Sequence, residues 1–225
     1  MGYFIFKGVN SRDYGVLERS PMPPKAMQTQ KTIEIPNRAE PLFEESREFS
    51  PITIDAVLGI TDKSKIDGIY GWLHGEGDLI FSNDLGKFYK ATCYSEIIPQ
   101  YMSARFGKIP IKFICKPFRY AVENEPITLN SPQTLKVGGS YPCEPVYKIY
   151  GSGNINFIVN GEVLEIKDVS EHIVIDTSRL IAYKGDTVLV NKTVGLYPML
   201  GVGDNSISWT GTVTKVEITK NERWL

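Results

Sequence analysis

Histidine and cysteine are scarce in this 225-residue chain, and so are the constellations they build. The two histidines, His74 and His172, have no His, Cys or acidic partner at metal-ligand spacing, so no metal site is signalled. The cysteines Cys93, Cys115 and Cys143 are widely spaced, odd in number and never C-x-x-C, which argues against a disulfide framework and for reduced, partly buried thiols. No G-x-S-x-G elbow is present, so His172 and Asp176 lack a serine partner for a nucleophilic site. Carboxylates such as Glu123, Glu125, Glu144 and Asp204 read as solvated loop charges rather than the facing pair of a glycosidase. The expectation is a non-enzyme, with no catalytic, cofactor-binding or metal-ligating residues and no cofactor.

Charge of one sign is lacking as well. Lys and Arg number 25 against 26 Asp and Glu, for a formal net charge of -1. That balance supplies no basic field to grip a polyanion by counterion release, so a DNA- or RNA-binding domain is not expected. No apolar run is long enough to cross a bilayer. The start, MGYFIFKGVNSRDYG, has only four apolar residues before Lys7, no small-residue cleavage site, and Phe6 where a myristoylation signal needs Ser or Thr. A protein made soluble in a cytoplasm, without membrane insertion, is the expectation.

What the chain has in quantity is β texture. Ile, Val, Thr, Tyr and Phe recur in short runs broken by Gly, Pro, Asn and Asp, which points to an all-β dominated fold. Expected strands in the first half are Tyr3–Phe6, Thr32–Ile35, Ile52–Val57, Leu79–Phe81, Tyr89–Cys93 and Ile109–Cys115. One helix is expected near 64–74, because Ile66, Ile69, Tyr70 and Leu73 fall on one helical face; Ser64 is its expected cap and Gly75 its stop. Gly68 and Gly71 each cost such a helix about 1 kcal/mol, so it must survive by packing on a sheet.

The stretch from Ala121 to Pro145 is rich in Asn, Ser, Pro and Gly and lacks apolar periodicity, which places a domain boundary near Glu125 and gives domains of 1–124 and 125–225. Beyond it, strands at Val146–Tyr150, Ile155–Val159, Val163–Ile166, His172–Ile175, Leu180–Tyr183, Ser206–Thr210 and Val213–Thr219 suggest a β-sandwich. The glycines of YGSGNINFIVNG lead into an alternating strand rather than a helix, so a phosphate-cradling loop is excluded by context. Asn160-Gly161 reads as a type I′ turn that sets Val159 opposite Glu162, Ile158 opposite Val163, Phe157 opposite Leu164 and Ile155 opposite Ile166. Gly151–Asn154 reads as a second turn, which would complete a three-strand meander. Tyr147, Tyr150 and Trp209 are candidates for a sugar or partner contact, with Trp224 a further aromatic of the same kind.

The order of motifs resembles the distal tail proteins of long, flexible-tailed bacteriophages, nearly end to end. FIFKGVNSRDYGV resembles the family's opening strand, IEIPNRAEPLF its Ile-Pro-Gly-Arg-Asp-Gly turn, and WLHGEGDLIFSND with FYKA its helix end, turn and strand. FICKPFRY resembles the strand that closes the first domain. EPVYKIYGSGNINFIVNG and GLYPMLGVGDNSISWTGTVTKVEI resemble the Pro-led strand, the Gly-Ser-Gly hairpin and the final Pro-x-Leu-x-x-Gly-x-Asn segment. The chain departs from the pattern at Asn37 and Glu40, where the family has Gly, and at Val137-Gly138-Gly139, where it has Asn-Pro-Gly; Asn at position 37 still tolerates positive φ. The resemblance implies an N-terminal ring-forming β domain and a C-terminal galectin-like β-sandwich, assembled as a homo-hexamer at the virion tail tip. It implies the tail tube protein, the tail-associated spike or hub protein and a receptor-binding protein of the baseplate as partners. It also implies a channel through which DNA passes without specific binding, and assembly in the bacterial host cytoplasm. The competing function is a carbohydrate-binding module that contacts the host surface through the second domain.

Overall fold

Alternation of apolar and polar side chains builds the sheets of both halves. The computed structural model describes residues 2–37, 39–101 and 106–225, without the side chains of Glu45, Arg47 and Tyr101; Arg38 of the IEIPNRAEPLF motif lies outside the described residues. The chain is β-dominated with one short helix among them, and it divides into two compact units, Met1–Val122 with Leu225, and Glu123–Trp224.

The strands of the first unit are β1 (Phe4–Phe6), β2 (Val9–Asn10), β3 (Val16–Leu17), β4 (Gln28–Ile33), β5 (Leu42–Phe49), β6 (Ile52–Ile60), β7 (Gly75–Phe81), β8 (Lys87–Cys93), β9 (Gln100–Tyr101) and β10 (Gly107–Ala121), and α1 spans Ile66–Trp72. The main sheet runs β2-β1-β7-β8-β10-β6-β3, with antiparallel neighbours. Along β6 the inward positions are Ile52, Ile54, Ala56, Leu58 and Ile60, and β10 answers with Ile109, Ile111, Phe113 and Cys115. This is the period-2 pattern of a sheet with one buried face. β4 and β5 form a separate two-stranded ribbon; β5 has no counterpart among the expected strands, and β4 starts four residues before Thr32.

The helix is shorter than expected and differently capped. Asp62, not Ser64, caps the 3₁₀ turn that leads into it: its Oδ1 accepts the Ser64 backbone N–H at 3.0 Å and the Ser64 hydroxyl at 2.7 Å. Ser64 is a donor here because the helix is entered through that extra turn. Ile69 and Leu73 are buried as their spacing requires, and Trp72 joins them, lying between the rings of Phe4 at 5.4 Å and Tyr14 at 5.0 Å. Its indole N–H donates to the Phe6 carbonyl. Gly68 makes room for Tyr14, since a Cβ there would stand 3.3 Å from the ring. The helix therefore depends on sheet packing rather than on propensity.

The second unit contains β11 (Ile127–Leu129), β12 (Gln133–Val137), β13 (Val146–Val159), β14 (Glu162–Val169), β15 (His172–Asp176), β16 (Ile181–Lys184), β17 (Thr187–Val188), β18 (Thr193–Val194) and β19 (Gly203–Thr219). β13 and β19 pair along almost their whole length and serve both halves of the layer. The first part of β13 also pairs with β15, and its last part with β14. The inward residues form one core that includes Tyr147, Ile149, Phe157, Leu164, Ile173, Val216 and Ile218.

Two expectations meet different outcomes here. Asn160 and Gly161 adopt φ 52° and 87°, and the pairs Val159–Glu162, Ile158–Val163, Phe157–Leu164 and Ile155–Ile166 all form. Gly151–Asn154, by contrast, is not a turn. It is a bend with register shifts inside the single strand β13, and Gly211 lies in the facing bend of β19. A Cβ on Gly151 would stand 2.2 Å from the Thr212 carbonyl oxygen, and one on Gly211 2.4 Å from that of Asn154. The glycines are there because two backbones approach too closely for a side chain.

Candidate functional site

Of the three aromatic candidates two pack on the core and one faces away from it. Alternation along β13 turns Tyr147 inward, and it is fully buried, with its ring 4.8 Å from Phe157 and its hydroxyl donating to the Pro198 carbonyl at 3.1 Å. Burial raises its phenol above the ordinary value. Tyr147 is thus a core strut with no face to offer a ligand, which corrects its assignment as a contact residue. Trp209 stands opposite Phe157 on β19 and is half-buried, packed against the same core.

Tyr150 points to the other side. Its hydroxyl donates to Glu217 Oε2 at 3.0 Å, and the Lys215 and Lys148 ammonium groups lie 4.4 and 4.9 Å from its ring centroid. Lys215 also donates to Glu217 Oε1 at 2.6 Å, and this bond holds the carboxyl below and the ammonium above their ordinary values. His172 closes the group, its ring 5.7 Å from that of Tyr150. Spacing along the sequence gives no sign of this cluster, because its members come from β13, β15 and β19 and meet only through strand pairing.

The other histidine, His74, packs edge-on against Tyr94 at 5.3 Å. The three cysteines are free and buried, and burial pushes the Cys115 thiol up to about 12 and the Cys143 thiol up to about 11. Such thiols are protonated at neutral pH and poor nucleophiles. Among the described residues no three His, Cys, Asp or Glu side chains gather to hold a metal ion, and no helix is long and apolar enough to cross a membrane.

A groove of about 410 Å³ opens on the main sheet of the first unit where β10 slips register against β8 between Cys115 and Arg119, with Ala91, Ile114 and Pro117 in its wall and Asp78, Lys90 and Lys116 at its rim. The β4–β5 ribbon exposes Ile33, Leu42 and Phe43, the last at 64%. Two-stranded ribbons are marginal in water, so the exposed apolar cluster at this end of the ribbon is a surface suited to a partner. Of the ribbon, the expected strand at Thr32–Ile35 overlaps only the end of β4, and β5 was missed; β4 buries no side chain and so shows no buried stripe to detect.

No family profile and no curated protein matches the chain. Among solved structures it is similar to the crystal structure of Dit (gp 19.1) of phage SPP1, a protein described as a paradigm of the hub adsorption apparatus in phages that infect Gram-positive hosts. Identity is 12%, the alignment covers 100% of both chains, and the TM-score is 0.78. At that identity the likeness is one of fold, and it extends over the whole chain. The neighbour is a distal tail protein of a siphophage, the family whose motif order the sequence resembles.

Proposed function

We propose that the protein is a structural component of a phage tail tip, with assembly as its mechanism. The observation that carries this reading is the full-length likeness to a hub of a phage adsorption apparatus; the order of family-like motifs supports it independently. Six copies close into a ring through the Met1–Val122 unit, which joins the tail tube above to the tail-associated spike or hub protein below. The Glu123–Trp224 unit, a galectin-like sandwich, faces outward and docks a receptor-binding or other baseplate protein. A closed ring needs a head-to-tail interface, and the first unit offers unlike surfaces for it in the exposed ribbon and the groove on its sheet. The near-neutral charge suits a channel that lets DNA pass without holding it. The particle assembles in the host cytoplasm and ends at the virion tail tip.

Negative-stain imaging with native mass spectrometry tests the reading directly. Six-fold rings are expected, alone or on addition of the tail-tube or spike protein. A chain that stays monomeric at high concentration and with each partner added would overturn it. The carbohydrate-binding alternative loses Tyr147 to the core, and of its named aromatics Tyr150 has the polar surroundings a glycan would use.

A further inference from the structure

We infer that the Glu123–Trp224 unit has a saccharide pocket framed by the β14–β15 turn, at a place none of the aromatic candidates marks. A cavity of about 180 Å³ opens there. It is smaller than the roughly 300–1,000 Å³ that drug-sized ligands occupy, and suits a single sugar ring. Its floor is apolar: Val169 and Ile173 are buried and Leu189 packs against the core.

Above that floor the rim is polar and nearly balanced in charge. Lys184 Nζ donates to the Ser170 carbonyl and to Glu171 Oε2, each at 2.8 Å, and Lys192 Nζ donates to the Asp168 carbonyl at 2.8 Å. An ammonium has three N–H bonds, so these contacts anchor both lysines and leave them N–H groups for a guest. The Asp168 carboxylate and Thr187 hydroxyl supply acceptors. The framing turn holds Asp168 at φ 49° and Glu171 at φ 65°, a conformation that a glutamate adopts only at a cost in energy.

An apolar floor under interleaved donors and acceptors matches a pyranose, whose C–H face needs dry contact and whose hydroxyls both donate and accept. A bare anion would find two carboxylates beside the two ammonium groups. His172 also lines the cavity and adds a ring to its wall. The inference rests on this cavity and not on the ring-forming reading.

Saturation-transfer NMR on the full chain with methyl glycosides of glucose, galactose and N-acetylglucosamine tests it, with inorganic phosphate titrated separately by phosphorus line broadening. Transfer to at least one glycoside is expected. Binding should weaken by about tenfold in Lys192→Met, the size of one hydrogen bond to a charged group, and be retained in Trp209→Phe. Lys184→Met, with circular dichroism to confirm folding, repeats the measurement should Lys192→Met fold poorly. Absence of transfer to all three glycosides, equal transfer in wild type and both lysine variants, or phosphate broadening without glycoside transfer would each overturn it. Six-fold rings that bind no glycoside would sink this inference alone.

Discussion

Asn205, at the end of the Pro-x-Leu-x-x-Gly-x-Asn segment, uses every hydrogen-bonding group it has. Its Oδ1 accepts from Gly201 N–H and from the Asn160 side-chain amide, both at 2.8 Å, and its Nδ2 donates to the carbonyls of Gly201 and Gly203. It is fully buried, as is Leu200, and the Pro198 carbonyl accepts the Tyr147 hydroxyl. The motif is therefore a lock between the β19 entry, the β13–β14 turn and the core. Asn205→Ala strands several of these groups and should cost about 2–3 kcal/mol, read as a lower urea midpoint at unchanged slope. Asn205→Asp, which turns acceptors toward two carbonyls, should cost more. In the sequence Asn205 looks like any polar loop residue; its burial follows from what folds over it. The cysteines give a second residue-scale expectation. With Cys93, Cys115 and Cys143 buried and their thiols held protonated, a thiol reagent at neutral pH should react slowly with the native protein and label all three on unfolding. Fast native labelling would reveal local opening at that site.

At the scale of the element, the glycines of β13 and β19 decide how the second unit closes. Gly211 has φ 99° and faces the Asn154 carbonyl, so Gly211→Ala combines backbone strain of about 1–3 kcal/mol with a clash that forces the two strands apart. Gly153 has φ 74° but open space around it, and Gly153→Ala should cost only about 1–2 kcal/mol. Urea unfolding of the two variants, followed by tryptophan fluorescence, should rank them in that order; equal costs would mean that the close approach is not needed. The Asn160-Gly161 hairpin was legible because a two-residue turn and its flanking alternation are local. The nearby Gly-Ser-Gly bend was misread because a turn and a bend have the same local composition, and only the distant β19 strand separates them. β11 and β12 were missed for a similar reason: segments of three and five residues are too short to show a period and become strands by pairing with β19.

For the whole molecule, acid stability is a measurable consequence of its ion pairs. Burial pushes the Glu222 carboxyl up, but the bonds it accepts from Lys220 and the Gly138 N–H outweigh this and leave it below the ordinary 4.5. A carboxyl lowered in the folded state stabilises fully above its unfolded value, and the contribution disappears as pH falls through the folded one. The thermal midpoint should therefore hold from neutral pH to about 5 and fall below 4.5, and Glu222→Gln should flatten that limb. Glu171 shifts the same way but is exposed and adds little, whereas Glu217, with its side chain 24% exposed and bonded to Lys215 and Tyr150, shares in that limb. The sequence by itself determined the β class, the single helix, the Asn160-Gly161 register and the order of motifs that resembles a tail protein, because these depend on neighbours a few residues apart. Only the tertiary structure decided that Tyr147 lies inside while Tyr150 faces Lys215 and Glu217, that the β4–β5 ribbon is exposed, and that Lys184 and Lys192 meet over one cavity. Burial and convergence are properties of which distant strands pair, and no local pattern carries them.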